Sequence, residues 1–511
     1  MRSDATIIAQ IVLLSWPLVA MAMIAVLGRA RGLIWSTCLG YLFLPEALGL
    51  RLSGLPDYDK TAAIALGVML GALAAPRQEA PVARRETVLR PALILCIATV
   101  IILSPLATWL ANTYPIAAGD GVRPGLTWRD FASMSISGIV STAPFIAALA
   151  WLRAPAHRRE LAFAIMAFGL VYMLFALVEM RMSPQFSNWV YGYFPHSFAQ
   201  HYKNGYWRPV VFLSHGLAVG FFFFSAVMAA IAIARSDPAR RPMALGPAGA
   251  LFVILVLSQN LGALAIALVL VPVALLAGAR VALGVAAAIG VVFLFYPAIH
   301  QAGLVPLDRI LDLFAGIDPN RAASLAVRLR NEALLIDRAL ESPWVGLGGW
   351  RRSLPINDHG FLADGAWILV WGLYGWLGYL AIYGLLVLPI LALRHRSHHE
   401  PAPFVNAVLA LTMAGNFVYL IVNSTLSPIA YVTAGALAAA ALWRGVEEGV
   451  AGAGARSAGR GGHRAYTRFP SGPPEPVLRG GPGPTRTTAP AARRSPQERP
   501  MTDRKRLPLR R

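Results

Sequence analysis

An all-α polytopic bundle of about 12–13 membrane-spanning helices is the fold this sequence predicts, and three observations predict it. Apolar residues make up 57% and charged residues 14% of the 511 residues, against about half and a quarter in soluble domains. The apolar residues recur in blocks of roughly 17–25, the length of a helix that crosses a bilayer. The blocks lack the alternation of a barrel, and lipid then leaves only helices, which satisfy every backbone group internally.

Taken in order, the blocks centre near Leu14, Leu39, Gly67, Thr99, Ala143, Gly169, Gly220, Leu251, Leu268 and Ala288, then near Gly378, Leu411 and Ala436. No small-residue cleavage pattern follows the first block, so it reads as a retained span. The second is short and broken by Pro45. Basic loops at Arg77–Arg90, Arg153–Arg159, Arg235–Arg241 and Arg394–His399 mark the cytoplasmic side. By alternation, Asn112–Asp130, Arg181–Arg208 and His300–Phe361 face the other side, which in a bacterium is the periplasm. The expected organisation is a membrane domain over residues 1–450, with periplasmic segments at about 181–208 and 299–361, and a disordered basic cytoplasmic tail over 451–511.

The net charge of +20 is mostly topology. The tail from Ala451 holds 13 Arg and one Lys against two Glu and one Asp, so it alone carries +11. It is rich in Gly, Pro and Ala, and too poor in large apolar residues to fold. Contact with anionic membrane lipids is open to it, but nothing marks a nucleic-acid partner. Cys38 and Cys96 lie in apolar blocks and imply no disulfide.

The longest water-facing stretch before the tail runs from Asp318. Asp318-Pro319 reads as a helix start. The helix that follows places Arg321, Ser324, Arg328, Glu332 and Leu335 on one face. Two guanidiniums on one face suit a bidentate anion such as a phosphate or pyrophosphate. The plainer reading is an amphipathic helix in which Arg328 pairs with Glu332 four residues on. Pro343 closes the helix, and the glycine turn Gly346-Leu347-Gly348-Gly349 follows. Asn357-Asp358-His359 and Asp364 lie where the chain re-enters the membrane. His359 or Asp364 can take a proton from an incoming hydroxyl; Asn357 or Asp358 can equally cap the next helix.

Arg208 stands where the block around Gly220 begins. His215, seven residues on, is expected two helical turns and about 10 Å deeper on the same face. An ionisable group in a span is a functional hypothesis, against snorkelling for Arg208 and a neutral, helix-bonded imidazole for His215. The segment Ser183–Arg208, with Trp189, Tyr191, Tyr193, His196, His201 and Trp207, reads as an interfacial aromatic belt. The sequence has no P-loop, no dinucleotide glycine pattern, no HExxH and no Cys/His cluster at metal-ligand spacing. An ATP-driven pump, a zinc hydrolase and a bound cofactor are therefore not expected.

Several stretches together resemble the O-antigen ligase and O-antigen polymerase superfamily of bacterial inner-membrane proteins. They are Gly40-Tyr41-Leu42-Phe43-Leu44-Pro45 with Leu55-Pro56-Asp57-Tyr58-Asp59-Lys60, the run from Glu179 to His196, and Arg208 to Gly216. The large loop adds an arginine, a short helix, a proline, a glycine turn and a Gly-rich span, here Arg328, Pro343, Gly346/Gly348 and Gly375/Gly378. The likeness covers roughly residues 35–440.

The resemblance implies a GT-C-like, metal-independent membrane glycosyltransferase. Its donor would be an undecaprenyl-pyrophosphate-linked glycan and its acceptor lipid A-core or a growing glycan. Arg208, Arg328 and Arg321 would hold the pyrophosphate, and Asp364 or His359 would activate the acceptor, with His215 and Glu332 in support. Glu332 stands where the family commonly has Trp. Aligning the glycines puts Asp364, not His359, at the usual histidine position. A transporter or a non-catalytic scaffold of a polysaccharide export system is the alternative, although no internal repeat of the transporter kind is present.

Overall fold

The computed structural model describes residues 5–51, 54–76, 87–119, 121–203, 205–236, 239, 241–317, 319–355, 365–398, 403–424 and 426–443. The chain divides into Met1–Glu448 and Gly449–Arg511, and the second unit, with the expected tail, lies outside the described residues. Helix accounts for 76% of the structure, which makes the chain all-α. In order come α1 (Ile7–Leu27), α2 (Arg29–Phe43), α3 (Lys60–Ala74), α4 (Leu89–Ala98), α5 (Ser104–Ala111), α6 (Trp128–Trp151) and α7 (Pro155–Met182). Then follow α8 (Phe186–Tyr191), α9 (Gly216–Ser236), α10 (Arg241–Leu257), α11 (Leu261–Leu276), α12 (Ala279–Leu294) and α13 (Tyr296–Gln301). The last are α14 (Leu307–Ile317), α15 (Pro319–Leu340), α16 (Ala366–Arg396), α17 (Phe404–Val422) and α18 (Pro428–Leu442).

Among the described residues, seven helices are long and apolar enough to cross a membrane: α1, the continuous α4–α5, α6, α7, α9, α16 and α17. Helices α3, α10, α11, α12 and α18 are apolar but shorter. Large apolar side chains of α1, among them Ile7, Ile11 and Leu18, point outward, as a lipid-facing helix requires. The most apolar window of α1 is 33% buried, that of α9 is 83% and that of α17 is 78%, so α9 and α17 form the centre. Helix α9 packs against α7, α10, α11 and α17.

Local chemistry sets the ends. The Asp59 carboxylate accepts from Thr61 N and Ala62 N, both at 2.9 Å, and starts α3. Thr127 and Asp130 form a capping box on α6. Helices α1 and α3 close on Gly67 and Gly71, where an added Cβ would stand 2.6 Å from Ala20 Cβ and 2.4 Å from Ile24 Cδ1. Small residues of this kind let helices approach in lipid. Two hairpins interrupt the helices: β1 (Ile116–Ala118) with β2 (Gly121–Arg123), and β3 (Tyr202–Lys203) with β4 (Tyr206–Trp207).

Helix α16 is broken at Gly375, whose φ is 59° and ψ is −167°. The break frees the carbonyls of Gly372 and Leu373 and the amides of Trp376 and Leu377, which a continuous helix would pair. The Pro343–Gly348 loop takes all four: Leu347 N donates to Gly372 O at 2.9 Å and Gly348 N to Leu373 O at 3.0 Å. Trp376 N donates to Pro343 O at 2.8 Å and Leu377 N to Trp344 O at 3.0 Å. The glycines expected to shape a turn and a span thus build one interlocked unit.

Arg352 fastens the first hairpin to this unit. Fully buried, its guanidinium donates to the carbonyls of Leu347 (3.0 Å), Tyr114 (3.2 Å) and Pro124 (2.5 Å). Arg338 on α15 donates to Ala117 O and Arg352 O, both at 3.0 Å. Five carbonyls bonded to these two arginines make the 114–124 and 347–352 segments depend on each other.

Candidate functional site

Arg208 lies in a segment held by a carboxylate that sequence reasoning gave no role. Glu179, near the end of α7 and 1% exposed, accepts from Val210 N at 2.7 Å, Val211 N at 2.8 Å and Phe186 N at 3.1 Å. Tyr172 Oη accepts from Phe212 N at 3.0 Å. These bonds keep Pro209–His215 out of helix, with Val211 at φ 56°. The expected placement of His215 two turns inside a span is therefore corrected. Helix α9 begins at Gly216, and His215 sits at its mouth, where its Nδ1 accepts from Leu217 N at 3.0 Å and caps the helix.

The Arg208 guanidinium donates to Gln259 O at 2.6 Å, and its amide donates to His201 O at 2.8 Å. Gln259 has φ 53°, a strained backbone for a non-glycine residue and a feature that gathers at functional sites. The next residue, Asn260, caps α11 and donates to Leu217 O at 2.7 Å. Arg208 and Arg328, 120 residues apart in sequence, lie in the segment before α9 and on α15 respectively. Tyr419 stacks on Phe221 with ring centres 4.5 Å apart. Both line an apolar pocket completed by Ala218, Phe222, Met413 and Ile429.

Glu332 does not make its sequence-expected contact with Arg328 the principal one. Its carboxylate faces His300 Nε2 at 3.4 Å, with the two side chains 12% and 14% exposed. That is longer than a charge-assisted hydrogen bond, and Glu332 Oε1 has no hydrogen-bond partner among the described residues. Burial pushes the Glu332 carboxyl up to about 7 and the His300 imidazole down. Glu332 can therefore hold or release a proton near neutrality. Trp367, fully buried at the start of α16, packs on His300 and on Tyr296 with ring centres 5.8 and 4.9 Å away.

The backbone of Arg321 lies in α15, but its side chain, like His359 and Asp364, falls outside the described residues. His196 and His201, read from sequence as part of an aromatic belt, meet His215. One ring nitrogen of each lies within 4.8 Å of the others. The steps, five residues and then fourteen, are not those of a known ligand motif. The turn over Phe198–His201 and the β3–β4 hairpin create the cluster by folding the chain back on itself.

No protein-family model and no curated protein sequence matches the chain.

Proposed function

We propose that the chain is a membrane glycosyltransferase of the O-antigen ligase and polymerase kind. It moves a glycan from an undecaprenyl-pyrophosphate carrier to an acceptor hydroxyl, on lipid A-core or a growing glycan, at the periplasmic face of a bacterial inner membrane. The observation that carries this reading is the Arg208 guanidinium, held on Gln259 O next to the Asn260 cap that bonds Leu217 O, with the apolar pocket starting at the adjacent Ala218. A guanidinium near an apolar cleft matches a donor that is a pyrophosphate at one end and a polyprenyl chain at the other.

In the reaction, the bond between the anomeric carbon and the phosphate oxygen breaks, and the pyrophosphate leaves with the electron pair. Arg208 and Arg328, with Arg321, stabilise the charge that develops there. The acceptor oxygen bonds to the anomeric carbon, and its proton passes to a base, for which Asp364, His359 and the near-neutral Glu332 are the candidates.

Two measurements test the proposal. In cells lacking the protein, lipopolysaccharide and secreted polysaccharide are separated by size. Loss of long chains from lipid A-core, with lipid-linked polymer accumulating, is the ligase outcome. Single repeat units, or vanished exopolysaccharide, is the polymerase outcome. Unchanged glycan profiles would overturn the reading. In complementation, Arg328→Ala is expected to give no product while inserting and accumulating normally.

A further inference from the structure

We propose that His196, His201 and His215 form a site for one divalent transition-metal ion of the zinc class, with a fourth coordination position open to solvent or to an anionic oxygen. The inference does not rest on the transfer reading. It rests on the three ring nitrogens that lie within 4.8 Å of one another.

Tetrahedral zinc holds imidazole nitrogens at about 2.0–2.1 Å, which puts them about 3.4 Å apart. The cluster therefore has to contract by no more than about 1.4 Å. His201 is fully buried and His215 half-buried, whereas His196 is exposed. Two ligands are thus fixed by the fold, and the third stands on a surface where a χ rotation can bring it in.

The tautomers agree with metal binding. His201 Nδ1 lies 3.1 Å from Ser197 O, so it carries the proton, and the unprotonated Nε2 accepts from Gly216 N at 3.4 Å, a long bond that metal binding there would give up. A histidine ligand anchored through its other nitrogen to a backbone carbonyl is the usual outer-shell arrangement. His215 Nδ1 accepts from Leu217 N, so it also holds a lone pair, and metal binding there gives up one backbone hydrogen bond. Neutral imidazoles select zinc, cobalt, nickel or copper rather than magnesium or calcium. Three protein ligands with one exposed side is the open form of such a site, since closed structural sites use four. Arg208 follows the β3–β4 hairpin, and its backbone amide donates to the His201 carbonyl, which helps fix that ligand in place.

The test uses the full-length protein in detergent, purified without a polyhistidine tag and stripped with a chelator. Co²⁺ is titrated in with visible absorption as the readout, and Zn²⁺ is then added in competition. The expected result is one equivalent of Co²⁺ in a tetrahedral, nitrogen-rich spectrum, displaced by Zn²⁺ and indifferent to excess Mg²⁺. His196→Ala removes the exposed ligand and is expected to weaken binding roughly 100-fold. His201→Gln, with thermal unfolding followed in parallel, should do the same. A folded wild-type protein that takes up no ion would overturn the proposal. So would an affinity unchanged in both variants, which would place the bound ion elsewhere.

Discussion

Replacing Glu179 with Ala should release the segment that presents Arg208. The carboxylate accepts three buried backbone amides, from Phe186, Val210 and Val211. Leaving one buried donor unsatisfied costs about 1–3 kcal/mol, so three cost roughly 3–6 kcal/mol once partial water entry is allowed. Glu179→Gln keeps one acceptor oxygen, enough for Val210 and Val211, and turns an amide donor toward Phe186 N; about 1–2 kcal/mol is lost. Hydrogen exchange resolved to residues 208–213 in detergent or nanodiscs separates the two. Each 1.4 kcal/mol is about tenfold, so Glu179→Ala should speed exchange of the Val210 and Val211 amides by roughly 100-fold or more. Glu179→Gln should change it about tenfold. The helical core of α9 should stay protected in both variants. Unchanged protection at Val210 and Val211 in the alanine variant would refute the claim that Glu179 holds this segment.

Burial raises the Glu332 carboxyl from 4.5 to about 7, so the folded chain binds this proton more tightly than the unfolded one. Its stabilising effect is present in acid and is lost as pH rises between those values, by up to roughly 3 kcal/mol. Neighbouring His300 is shifted the other way by burial and loses its contribution on acidification. Glu332→Gln should therefore flatten the fall in unfolding temperature between about pH 5 and pH 8, and an unaltered slope would exclude Glu332 as its source. Gly375→Ala would put a Cβ 2.3 Å from the Trp344 carbonyl carbon at a φ of 59°. The expected cost is more than about 3 kcal/mol, read as loss of monodisperse protein in size-exclusion chromatography.

The sequence makes the helical elements legible where one physical signal dominates. Apolar length marks α1, α7 and α9, and the Asp318-Pro319 start and Pro343 stop bracket α15 closely. His215 was misplaced because Val210-Val211-Phe212-Leu213 reads as the opening of a span. A carboxylate about thirty residues earlier takes those amides instead, and no local pattern announces that. The three-histidine cluster is hidden for the same reason, since a hairpin rather than a helical spacing assembles it. The plainer reading of α15 pairs Glu332 with Arg328 within the helix, yet Glu332 faces His300 of α13, a tertiary contact that no local pattern shows. Arg208 is legible in the sequence as an arginine at a span's start, whereas its partner, the Gln259 carbonyl, is visible only in the fold.

The break in α16 also bears on how the protein is assembled. A lone α16 entering lipid has no loop to turn to, and bare peptide groups there cost several kcal/mol each. It must therefore enter straight, with Trp376 and Leu377 bonded back to Gly372 and Leu373. Docking of Pro343–Gly348 then exchanges those two internal bonds for four external ones. Both forms pair those four peptide groups, so the bend leaves none of them bare to lipid. The shape of α16 thereby records whether the loop ahead of it has arrived.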